Sequence, residues 1–263
     1  FEPDYAVEYF TAQVDKKVYR VREASLYALA LAYMRTEEYD KAQEIIMGEL
    51  LTKDSGNLFY LDAATDIYIA KGEPLKAVEM LSPFVENSPR NQVLALNQAN
   101  AMISASRYDD AISLLKDFLL VNDEYQIAHQ LMSEAYQKAK RFSQMHQSKA
   151  EVYALYGAYT RAVDELQYAY NFAKDDDHLQ KQRIRARIKQ FRDQEKQSDI
   201  YWLAHNALMR VEVIPPWGDA FLETLIAVGA CLARGIGAPP LLDLDAFRGI
   251  GCPLKGCLFF NAE

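Results

Sequence analysis

The chain has 263 residues, half of them hydrophobic and a quarter charged, which fits one or two globular domains and excludes a disordered chain. A net charge of -8 argues against a broad nucleic-acid footprint and against a general binder of anionic membranes. No membrane span is expected: none of the apolar runs approaches the roughly 18 residues one requires, and the best of them, Thr224 to Ala233, is too short.

Phe1-Glu2-Pro3-Asp4, with neither an initiator Met nor a leader pattern, reads as a cut inside a longer chain. Residues 5–20 are expected to form a first helix, with Tyr5, Val7, Phe10 and Val14 set among charges. It reads as a cap or as the end of an upstream repeat. Three helix pairs follow, at 24–52, 57–88 and 91–121, turning at Arg35–Glu38, Lys71–Pro74 and Ser104–Arg107. Gly72 suits the left-handed residue after a helix and Pro74 the first turn of the next.

The pairs share one framework. The small residues Ala42, Ala77 and Ala111 open the second helices at intervals of 35 and 34. Nine residues before each stands Tyr33, Tyr68 or Met102; three before, Tyr39, Pro74 or Tyr108; four after, Ile46, Leu81 or Leu115. One period held by several residue types marks a stacked helix-turn-helix solenoid, whose concave surface makes binding the default function.

A fourth unit carries Tyr136, Phe142 and Met145 at the expected offsets, but Lys149 fills its aliphatic slot. A fifth match, Tyr153, Tyr159, Ala162 and Leu166, comes only 17 residues on, half a period. One helix, 143–156, is therefore expected to close the fourth pair and open the fifth. Residues 176–197 read as a charged capping helix with a narrow apolar stripe of Leu179, Ile184, Ile188 and Phe191. Its basic residues point to a solvated face or, as a second reading, to a contact with an acidic partner. The expected fold is thus all-α, an α-solenoid of about five helix pairs over residues 1–197, with an irregular C-terminal segment at 198–263. That segment lacks the repeat, is rich in Pro and Gly and offers one candidate helix at about 219–234. A small appended module and a foreign or out-of-frame segment both account for it, and the second is favoured because a charged cap is a natural end for a solenoid. All three cysteines lie there, a usage that fits an oxidising compartment only weakly.

The Tyr-Gly-Tyr-Ala spacings resemble tetratricopeptide repeats. More narrowly, the run from His146 to Tyr170, with the Arg/Lys/Gln-rich helix Gln180–Gln197, is similar to the closing repeats of bacterial periplasmic zinc metallopeptidases of the beta-barrel assembly-enhancing type. The resemblance covers roughly residues 1–197. It implies a periplasmic protein with an upstream zinc peptidase domain. It also implies a C-terminal repeat region that docks partners, the beta-barrel assembly machinery and outer-membrane protein substrates among them. Such peptidases bind zinc through H-E-x-x-H. None of His129, His146, His178 and His205 stands in that motif, so no catalytic residue, metal ligand or cofactor is expected in this chain, and zinc is expected only in the peptidase domain. The alternative is a free-standing tetratricopeptide adaptor with no enzyme attached.

Repeat offsets put Tyr27, Asp62, Asp66, Asn97, Asn100, Gln130 and Glu134 on the wall formed by the first helices. Asp62 and Asp66 share a helical face, as do Asn97 and Asn100. Amides both donate and accept, which suits an extended peptide read through its backbone. The first helices offer no Lys/Arg cluster of the kind that clamps a terminal carboxylate, which excludes that mode. Tyr156 and Tyr170, off the framework, are further candidate contacts.

Overall fold

The computed structural model describes residues 2–174 and 176–209, and the chain divides into two compact units, Phe1–Phe191 and Arg192–Glu263. The expected helix at 219–234 and the three cysteines lie outside the described residues.

Within the first unit α1 (Pro3–Asp15) leads into a run of helix pairs. In the first pair α2 (Arg22–Arg35) faces α3 (Tyr39–Gln43), which continues through a π-helical segment, Glu44–Leu50, into the single turn α4 (Leu51–Lys53). Then come α5 (Leu58–Ala70) with α6 (Pro74–Asn87), α7 (Gln92–Ser104) with α8 (Tyr108–Leu119), and α9 (Gln126–Lys138) with α10 (Phe142–Leu155). The series ends with α11 (Tyr159–Phe172) and α12 (His178–Met209). No strand occurs among the described residues. Each helix packs on the next in sequence, and first helices also touch the first helices of neighbouring pairs, as α5 does α7 and α7 does α9. The all-α solenoid expected from the framework is the observed fold.

One turn recurs between the helices of every pair. Glu37, Gly72, Ser106, Lys140 and Gly157 all adopt the left-handed conformation, with φ between 58° and 76°. The next residue's N–H then reaches back to the carbonyl of Tyr33, Tyr68, Met102, Tyr136 or Tyr153 at 2.8–2.9 Å. This backbone motif closes the first helix and starts the second within a few residues. It explains why the framework ring lies nine residues before the small residue: that interval is the length of the turn. The small residues themselves, Ala42, Ala77, Ala111 and Ala162, are wholly buried where paired helices approach most closely.

The π segment accounts for the single 35-residue interval. From Ala42 to Leu58 is 16 residues, whereas Ala77 to Gln92 and Ala111 to Gln126 are each 15. The additional residue is absorbed where the chain widens to the π form, and Leu50 and Leu51 both reach the core in consequence.

α10 serves two pairs, as the half-period spacing predicts. It packs against both α9 and α11, and its buried residues Ser143, Ser148, Ala150 and Val152 fall around the helix rather than along one stripe. Lys149 is the reason the aliphatic slot changes character. Its ammonium pairs with Glu165 of α11 at 2.7 Å and lies 5.9 Å from the Tyr153 ring centre. Glu165, only 9% exposed, also meets His146 Nδ1 at 2.7 Å.

α12 begins near the expected position but runs to Met209, past the expected end at Gln197, because no Pro or Gly interrupts it. Ile184 and Phe191 are 1% exposed against Ala150, Leu166 and Ala169, so the apolar stripe does cover the last pair. Leu179, the first residue of the expected stripe, is exposed.

Candidate functional site

The first helices α2, α5, α7 and α9 present one side chain pattern to the outside. On α5 it is Phe59, Asp62 and Asp66; on α7 Val93, Asn97 and Asn100; on α9 Ile127, Gln130 and Glu134. Each triplet steps by three or four residues and so lies on one helical face. Tyr27 is its counterpart on α2.

Four of the seven sequence-predicted residues come together. Asn97 donates from its side-chain amide to Asp62 at 2.7 Å, joining α7 to α5. Tyr27 on α2 packs with Phe59 edge-on at 6.3 Å between centroids and with Tyr60 at 5.6 Å. Burial, with the charges of Asp62 and Asp66 beside it, raises the Tyr27 phenol above its ordinary range. Asp66 reaches solvent, yet the surrounding protein strips part of its hydration and Asp62 repels its charge. Both effects, desolvation first, raise its pKa above the usual Asp value. Asn100, partly buried, and Gln130 and Glu134, both exposed, continue the wall without a hydrogen bond to this cluster among the described residues.

Sequence reasoning missed the aromatic and aliphatic members. Phe59, Val93 and Ile127 are 69%, 37% and 49% exposed and stand 34 residues apart. The repeat interval itself was the available signal, since an apolar residue recurring on the polar face of successive first helices is not required by the core. Of the two off-framework tyrosines, Tyr170 is taken up internally. Its hydroxyl accepts from Arg185, and the Arg185 guanidinium and Lys181 ammonium of α12 cover its ring. Tyr156 remains 64% exposed while accepting from Gln126.

No group of three or more His, Cys, Asp or Glu side chains suited to a metal occurs among the described residues. Among them, too, no helix is long and apolar enough to cross a membrane.

No protein-family profile matches the chain. It is 31% identical over 173 residues to the beta-barrel assembly-enhancing protease of Escherichia coli, a match covering 66% of this chain and 35% of that protein. It is 28% identical over 163 residues to a putative beta-barrel assembly-enhancing protease of Vibrio cholerae, covering 62% and 33%. The chain thus spans about a third of the length of the curated relatives it matches. A solved tetratricopeptide repeat protein from Parabacteroides merdae superimposes with a TM-score of 0.47 at 15% identity, over 87% of this chain and 93% of that one. The chain is an all-α helical-repeat array similar in sequence to part of the beta-barrel assembly-enhancing proteases.

Proposed function

We propose that this repeat region docks partners and substrate for a periplasmic zinc metallopeptidase that serves outer-membrane protein assembly and quality control. The observation that carries the reading is the 31% identity over 173 residues to a beta-barrel assembly-enhancing protease. The wall of α2, α5, α7 and α9 supplies the docking surface, with Tyr27, Asp62, Asp66, Asn97, Asn100, Gln130 and Glu134 as its polar contacts. The sequence contains no H-E-x-x-H, and no group of three or more His, Cys, Asp or Glu suited to a metal occurs among the described residues. In this reading peptide cleavage is the work of a peptidase domain elsewhere in the larger protein, and this region contributes orientation and local concentration of what is cleaved or assembled.

Site-specific photo-crosslinking tests the reading. A photoreactive side chain at Asn100 or Gln130 of the full chain is expected to capture purified beta-barrel assembly machinery or an unfolded outer-membrane β-barrel. The same side chain at Asp117, exposed on the second helix α8, is not. Equal capture from both positions would show that the wall is not the docking surface. Asn100→Ala is the cleaner substitution for an affinity measurement than Asn97→Ala, because Asn97 also holds Asp62. A severalfold loss of binding with an unchanged thermal midpoint is expected for Asn100→Ala.

A further inference from the structure

Ionic compensation divides this array sharply. Between Ala24 and Met34 on α2, and along all of α5 and α7, the only ionised side chains are Asp62 and Asp66. Several acidic groups elsewhere meet cations across helices. Asp40 meets Lys71 at 2.7 Å, Asp109 meets Arg141 at 2.6 Å, Glu165 meets Lys149 at 2.7 Å, and Glu151 takes both arms of the Arg187 guanidinium. Asp62 receives only the neutral amide of Asn97, and Asp66 has no ion pair among the described residues. Two carboxylates one helical turn apart repel each other, and among the described residues no Lys or Arg pairs with them.

The surroundings are those a side-chain cation requires. The Tyr27 and Phe59 rings stand beside the carboxylates, with Tyr60 behind Tyr27. Aromatic faces attract ammonium and guanidinium groups and cover their alkyl stems. Phe59 begins the exposed apolar row that continues through Val93 and Ile127. This row runs across the helices alongside the polar one, so a chain laid across the first helices meets an apolar lane and an acidic-amide lane together.

We propose that the α2–α5–α7 wall receives an extended segment of a partner protein bearing Lys or Arg among apolar residues. The cation sits between Asp62 and Asp66 against the aromatic rings, and the apolar neighbours lie on the Phe59–Val93–Ile127 row. The inference rests on the docking role proposed above and specifies the chemistry of what docks. Charge complementarity selects the occupant: an acidic segment, or a second copy of this net-negative chain, meets two uncompensated carboxylates.

The test uses the full chain and labelled extended peptides of Val and Ser carrying two Lys, two Gln or two Glu, read by fluorescence polarisation. The Lys peptide is expected to bind roughly tenfold tighter than the Gln peptide, about 1.4 kcal/mol, and the Glu peptide weakest. The preference should fall as salt rises. Asp62→Asn with Asp66→Asn should abolish the preference and leave the Gln peptide's affinity unchanged, and Phe59→Ser should weaken Lys and Gln peptides alike. Thermal melts of each variant establish that it is folded. Equal binding of the Glu peptide, or a Lys preference that survives the paired Asn changes, overturns the inference. If no peptide binds while crosslinks still form from Asn100, docking stands and this inference falls. Failure of both removes the docking role as well.

Discussion

Asp66 shows at the scale of one residue how a binding surface opposes stability. Its pKa is raised in the folded chain, so between the ordinary Asp range and the raised value the folded state holds more protons than the unfolded one. Stability therefore falls as pH rises through that window, and at neutral pH the ionised carboxylate is a net cost. Asp66→Asn is expected to raise the thermal midpoint at pH 7 by about 1–2 °C, the scale of a solvent-screened charge repulsion in a domain this size. Near pH 3, where both side chains are neutral, the difference should vanish. An unchanged midpoint at pH 7 would mean that neither lost hydration nor the neighbouring Asp62 charge opposes ionisation of Asp66 in solution. Residues that must be buried were legible in the sequence, because Ala42, Ala77 and Ala111 leave no room for anything larger and so repeat faithfully. Phe59, Val93 and Ile127 were not, because an exposed side chain is under no packing constraint that distinguishes a binding row from incidental surface. The bond from Asn97 to Asp62 was equally hidden, since the two residues stand at neighbouring rather than identical repeat positions, 35 apart.

At the scale of the element, the first pair accommodates its additional residue without losing its core register. Ala42, Ile46 and Leu50 are buried just as Ala77, Leu81 and Val85 are, and the surplus emerges only as Leu51 turning inward beside Leu50. Removing Gly48 should bring Leu51 into the Leu50 position, convert the π segment to α-helix and restore the 34-residue interval. Nothing packs within 4 Å of where a Cβ on Gly48 would stand, so no contact is lost. The thermal midpoint is expected to hold or rise. Removing Glu79 from α6, where the interval is already regular, should shift Leu81 and Val85 off the core and cost about 3 kcal/mol or more. If both deletions are equally damaging in denaturant unfolding, the π segment is not the seat of the additional residue. The 35-residue interval was plain in the sequence, but its location was not. Any of the 15 residues from Gln43 to Asn57 satisfies the spacing, and only the backbone distinguishes a longer loop from a wider helix.

For the array as a whole, stability is a sum of neighbour interfaces, so its ends govern how it comes apart. α12 supplies Ile184 and Phe191 to the last pair, and Arg187 clasps Glu151 on α10. Phe191→Ala is expected to cost roughly 3–5 kcal/mol. The loss should appear first as faster hydrogen exchange in α10 and α11, with α5 and α7 still protected. Uniform loss of protection across all helices would instead indicate one cooperative unit.

The doubly used α10 has a consequence for the parity of the array. Helices up to α9 alternate front and back, and α10 begins as a back helix. It then packs on α11 as a first helix does on its partner, so the alternation shifts by one helix after α9. The row of first helices in mutual contact that starts at α2 therefore ends at α9. That half-period step thus sets the length of the wall at α2, α5, α7 and α9, however many helices follow.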